Sequence, residues 1–130
     1  MSSHEVQMRW RDLDGLGHVN HVVVLTYLEE GRDAFLAGHG IRRDEYVVGR
    51  CSVGFNREIA AAESVTVECQ VAAVGTKSVT TSERIVDSEG HVAIEAQFTI
   101  VLWDPGSRMT REVTDEERNS LGGSGEAVAL

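Results

Sequence analysis

The sequence predicts an α+β domain in which one long helix packs on a five-stranded antiparallel sheet. Three observations carry that expectation. Val23, Tyr27, Leu28, Phe35 and Leu36 form an apolar stripe at helical spacing, and a 3.6-residue repeat turns such a stripe to one face. The segments after it alternate apolar and polar residues, the period of a strand with one buried face. Their connections are short, which antiparallel neighbours permit and parallel ones do not.

Each element follows from its residues. Alternation from His4 to Arg11 sets Val6, Met8 and Trp10 on one face and reads as a first strand, ending at a loop from Asp12 to Gly17. Asn20 is suited to cap the helix, which runs for about five turns to Gly38 and Gly40. Gly31 inside it costs about 1 kcal/mol relative to alanine, and either close packing on the sheet or simple tolerance accounts for it. Val47 to Ile59 is extended but mixed, whereas Ser64 to Val74 turns Val65, Val67, Cys69 and Val71 inward. Gly75 marks a bend before a strand from Ser78 to Val86, and Asp87-Ser88-Glu89-Gly90 is a hairpin turn. It leads to Val92, Ile94, Ala96, Phe98, Ile100 and Leu102, an unbroken apolar set at every second residue. Beyond Asp104-Pro105-Gly106 the pattern fades. Thr114-Asp115-Glu116-Glu117-Arg118 starts a short helix, and Gly122-Gly123-Ser124-Gly125 has the composition of a flexible tail. One domain over residues 1–121 and a tail over 122–130 are therefore expected, with no internal repeat.

Composition limits the function classes. A chain of 130 residues that is 42% hydrophobic has the core of a single domain. A net charge of −9 and a pI of about 4.9 repel phosphates, which argues against a broad nucleic-acid or anionic-membrane surface. Cys51 and Cys69 lack the CxxC spacing of a zinc or redox site and read as buried strand thiols in a reducing, cytoplasmic compartment. The chain begins with no basic stretch followed by an apolar run, and no run of about 18 apolar residues occurs, so no membrane association is expected.

The chemistry concentrates between Trp10 and Val23, where a loop bearing carboxylates and glycines leads into the helix. Asp14 lies at the junction, and the positive end of the helix favours its charged form. Gly15 and Gly17 flank Leu16 and let the backbone approach a ligand. An aspartate beside glycine also commonly accepts local backbone hydrogen bonds. Asp12 points away from Asp14 on an extended backbone and reads as structural or solvated. His18 is either packed or solvated, or faces a substrate in an acid–base role. Asp14, His18 and His21 are metal-ligand types, but no further strong ligand follows nearby, so no metal is expected. On the helix, Glu30 and Arg32 do not face one another. Glu29, Arg32 and Asp33 form a solvated or subunit-contact surface, or the polar lining of a ligand slot. Tyr27 reads as a core aromatic with its hydroxyl satisfied.

The run Arg9-Trp10-Arg11-Asp12-Leu13-Asp14-Gly15-Leu16-Gly17-His18-Val19-Asn20-His21, followed by Tyr27-Leu28-Glu29-Glu30-Gly31-Arg32, resembles the hotdog-fold acyl-CoA thioesterases of the hydroxybenzoyl-CoA thioesterase type. The resemblance covers residues 4–118. Phe55-Asn56-Arg57-Glu58-Ile59, Gly75-Thr76-Lys77-Ser78 and Phe98-Thr99-Ile100-Val101 are further anchors. It implies a hotdog fold and hydrolysis of an acyl-CoA, or of an acyl-carrier-protein thioester, without a cofactor.

Such hydrolysis needs a nucleophile or general base, a donor to the developing oxyanion, and a slot for the acyl chain. The resemblance implies that Asp14 is the catalytic carboxylate and that the backbone amide at His21 faces the oxyanion. Gly17 lets the backbone border the substrate, and Asn20 caps the helix or, as the secondary reading, contacts the substrate. Lys77 and Ser78 match the bend at which the family holds the phosphates and pantetheine arm of coenzyme A, and Arg57 can join them. Two departures stand out. Many relatives carry a second asparagine where this chain has His21, and some carry basic residues where it has Gly75 and Thr76. Glu58 and Glu63 are alternative carboxylates acting in trans. The fold leaves a sheet edge exposed, so a homodimer or homotetramer joined edge to edge is expected. A non-catalytic acyl-CoA-binding module and a hotdog hydratase or dehydratase are the alternatives.

Overall fold

The computed structural model describes residues 2–62 and 64–122. Glu63 and all but the first residue of the expected tail lie outside the described residues. In chain order the elements are β1 (Ser2–Gln7), α1 (His21–Ala37), β2 (Tyr46–Phe55), β3 (Ser64–Val74), β4 (Ser78–Val86), β5 (Val92–Asp104), β6 (Met109–Thr110) and α2 (Asp115–Ser120). The sheet runs β1-β3-β4-β5-β2 with every pair antiparallel, and the short β6 pairs with β5. This is the hotdog arrangement of one main helix on an antiparallel sheet. Among the described residues, no helix is long and apolar enough to cross a membrane.

The helix lies on the sheet through Val24, Tyr27, Leu28, Gly31, Arg32 and Leu36. Val24 and Leu28 pack with Val65, Val67, Ile85, Ile94 and Phe98, and Leu36 joins a second cluster around Ile41, Val79, Ile100 and Leu102. Gly31 faces Val67 so closely that a methyl group in its place would stand 2.7 Å from Val67 Cβ, which decides between packing and tolerance in favour of packing. Asn20 caps the helix as expected, its side chain accepting from Val22 N–H at 2.9 Å. Thr114 caps α2 in the same way by accepting from Glu117 N–H at 3.1 Å.

Four sequence expectations need correction. The first strand ends at Gln7, and a single 3-10 turn follows at Trp10–Asp12. Asp12 causes the break, because its carboxylate accepts the Arg9 N–H at 2.9 Å and draws the chain round, which leaves Trp10 90% exposed. The mixed segment after the helix stops being a strand at Phe55, although Ile59 is buried. Cys69 is buried but Cys51 is exposed, since it lies on the edge strand β2. Arg32 is buried rather than on a solvated face: its Nη1 donates to Glu83 at 3.0 Å, and its guanidinium stacks 3.9 Å from the centre of the Phe98 ring.

Candidate active site

The loop between β1 and α1 is organised by two aspartates with opposite surroundings. Asp12 is buried and accepts the Tyr27 hydroxyl at 2.6 Å as well as Arg9 N–H. Burial alone would push its carboxyl up, but the Tyr27 and Arg9 hydrogen bonds outweigh burial and hold it below the ordinary range. The Tyr27 hydroxyl is pushed up by burial and by Asp12, so it stays protonated and donates. Asn20 N–H also donates to the Asp12 carbonyl at 2.9 Å, which fastens the helix start to the loop. Asp12 is therefore structural, and Tyr27 is the core aromatic with a satisfied hydroxyl that the sequence suggests.

Asp14, two residues on, is exposed. Its Oδ1 accepts the N–H groups of Leu16 at 2.8 Å and His18 at 3.1 Å. Those two bonds hold its carboxyl below the usual range. Oδ2 has no hydrogen-bond donor among the described residues. One oxygen thus closes the loop while the other remains open to a water or a carbonyl carbon. Gly17 sits in the turn at φ +81, a backbone state that a side chain resists, and its carbonyl accepts from Ala61 N–H at 3.3 Å.

A second segment completes the wall. Val19 N–H donates to Ile59 O at 2.8 Å and His18 bridges Ala60, so the loop is paired with residues 59–61. The cavity so formed has a volume of about 280 Å³. Its polar lining is Asp14, His18, His21, Arg57 and Glu58, and its apolar lining is Val19, Val24, Phe55, Ile59 and Ile94. The His21 ring meets Phe55 edge-on with centroids 6.5 Å apart. At the helix start Val22 N–H is taken by the Asn20 side chain, and Val23 and Val24 N–H by Asn20 O. The His21 N–H is left without an acceptor among the described residues, as an oxyanion donor requires.

The structure therefore gathers Asp14, His18, His21 and Arg57 at one cavity, whereas Gly17 and Asn20 are not among its lining residues: Gly17 supports the loop turn and Asn20 caps the helix. Glu58 lines the same cavity as Asp14, its Oε2 3.1 Å from His18 Nδ1. No three His, Cys, Asp or Glu side chains among the described residues converge as a metal site. Lys77 and Ser78 are not at this cavity. Ser78 is buried and pairs with Val101 at one end of the sheet, while the cavity lies at the other, where Phe55 pairs with Ile94. The pairing of Arg32 with Glu83, which sequence reasoning misses, leaves one signal in the chain, an acidic residue at an inward position of β4 between Thr81 and Ile85.

No curated protein matches the chain in sequence. Among solved structures, a thioesterase from Thermus thermophilus complexed with coenzyme A and zinc is 25% identical, with a TM-score of 0.82 over 93% of this chain and 91% of that one. YbaW, a probable thioesterase from Escherichia coli, is 26% identical with a TM-score of 0.71 over 92% and 95%. A Staphylococcus aureus protein in complex with coenzyme A shares the fold at 9% identity, with a TM-score of 0.84 over 98% and 87%. The family model of the thioesterase-like superfamily matches residues 8–121, and the chain belongs to that superfamily.

Proposed function

We propose that the protein hydrolyses acyl-CoA thioesters, with Asp14 as nucleophile or general base and the His21 amide as oxyanion donor. The observation that carries this reading is the half-free Asp14 carboxylate, anchored through Oδ1 and open at Oδ2, in a cavity with the unpaired His21 N–H. The carboxylate is held in its charged form, as attack on a carbonyl carbon or proton abstraction from water requires. The apolar lining suits an acyl group. Coenzyme A in complex with similar folds supports the carrier.

The separation of Lys77 and Ser78 from Asp14 within one chain supports a two-fold dimer. β2 is an edge strand with one charged residue, Arg50, and with Val47, Val48 and Phe55 exposed. Antiparallel pairing of β2 with a second copy reverses the sheet, bringing the copy's Tyr46 end beside Phe55. The copy's Lys77 and Ser78 would then lie about 14 Å away across three strand spacings, within reach of a coenzyme A arm. The free thiols of Cys51 and Cys69 fit a reducing compartment such as the cytoplasm.

Thiol release from short, long and aromatic acyl-CoAs, compared between the native protein and Asp14→Asn, tests the assignment. Turnover by the native protein with at least about a hundredfold loss in the variant is expected. Equal rates in the two proteins would remove Asp14 from the chemistry, and the absence of turnover with retained binding would favour an acyl-CoA-binding module.

A further inference from the structure

The His18 imidazole is held by more than its own loop. Its Nδ1 is buried, and Glu58 Oε2 stands 3.1 Å away without the alignment of a full hydrogen bond. A buried ring nitrogen left unpaired costs about 1–3 kcal/mol, which a small rotation of the Glu58 carboxylate recovers. The backbone keeps the two residues adjacent, since His18 bridges Ala60 and Val19 N–H donates to Ile59 O. The same His18 donates its backbone N–H to Asp14 at 3.1 Å. Asp14, His21 and Arg57 are the other charged or titratable groups on this cavity wall.

An ionised carboxylate only accepts, so the ring nitrogen facing it is the one that carries hydrogen. We propose that Glu58 is a positioning residue that holds the His18 imidazole in its Nδ1–H form, leaving Nε2 to exchange a proton with the substrate. This rests on the thioesterase reading. In the general-base route Asp14 takes a proton from water, and the hydroxide adds to the thioester carbonyl carbon. The tetrahedral intermediate collapses by breaking the C–S bond, with the electron pair leaving on sulfur. His18 takes up at Nε2, through solvent, the proton that Asp14 removed from water, and passes it to the sulfur, which returns the ring to its Nδ1–H form. The sum is water plus thioester giving carboxylic acid plus thiol, with both side chains restored.

Ring-nitrogen NMR on the whole chain, read at a pH where the ring-nitrogen shifts themselves show a neutral imidazole, reports the tautomer directly. Glu58 is 72% exposed, so its substitution leaves the core intact. The native protein and Glu58→Gln, which both present an acceptor oxygen, are expected to show His18 as Nδ1–H. Glu58→Ala is expected to revert to the Nε2–H form that a free histidine side chain favours. In thiol release, Glu58→Ala should lower kcat about tenfold with KM nearly unchanged, and Glu58→Gln should restore most of it, a fraction of what general acid–base catalysis supplies. A native His18 found as Nε2–H, a tautomer that ignores Glu58→Ala, or an unchanged kcat in that variant overturns the proposal. The NMR readout needs no turnover, so a tautomer that follows Glu58 in a protein that cleaves no acyl-CoA would support the positioning and sink the thioesterase reading instead.

Discussion

Asp12 and Asp14 are separated by one residue and hold opposite roles, because one is enclosed and the other is not. Asp12 has Tyr27 and Arg9 as donors and sits under the helix, so it organises the loop from inside. Tyr27→Phe keeps the ring in the core and removes only the 2.6 Å bond. A hydrogen bond to a charged group contributes about 1.5–3 kcal/mol, so the variant should lose that much stability in urea unfolding at pH 7. The pH dependence has a definite sign. The folded Asp12 carboxyl lies below its unfolded value of about 3.9, so its contribution is complete above that pH and is lost as pH falls through the lower folded value. The gap between Tyr27→Phe and the native protein should therefore narrow as unfolding is measured below about pH 4. A gap that stayed constant would show that Asp12 is not the partner that matters.

At the scale of elements, the helix rests on the sheet at one tight contact and one polar one. Gly31 allows the tight contact against Val67, so Gly31→Ala gains up to about 1 kcal/mol of helix propensity and loses more to overpacking. A net loss of about 1–2 kcal/mol is expected in thermal or urea unfolding, and a stabilised variant would mean that Val67 yields freely. This contact shows what the sequence made legible. The helix stripe and the alternation of β3, β4 and β5 can be read because burial on one face writes its period into consecutive residues. The end of β1 cannot, because hydrogen bonds from the Asp12 side chain override the alternation through Trp10. The burial of Arg32 is equally hidden, because its partner Glu83 is 51 residues away and periodicity carries no pairing information. The site divides in the same way. Asp14, His18 and His21 share one contiguous motif, whereas the approach of Glu58 to His18 depends on the bridge between His18 and Ala60.

For the whole molecule, the two sheet edges are built differently. β1 is six residues long and carries His4 and Glu5, which discourage pairing with another chain. β2 is ten residues long and offers Val47, Val48, Val53 and Phe55 with Arg50 as its single charge, so its unpaired backbone is open along about 33 Å. If pairing sets the copy's Tyr46 opposite Phe55, Val48 faces Val53 of the copy near the two-fold axis, where a substitution acts twice. Val48 is already 45% exposed, so Val48→Lys should leave the single chain folded, as circular dichroism would verify. Two lysines at that interface should shift light scattering from dimer to monomer. Thiol release should fall with the monomer fraction, because the coenzyme A contacts proposed at Lys77 and Ser78 come from the second copy. A monomer with native turnover would place the whole substrate site within one chain and leave Lys77 and Ser78 without a role in it, whereas a dimer that persists would assign the interface to another face.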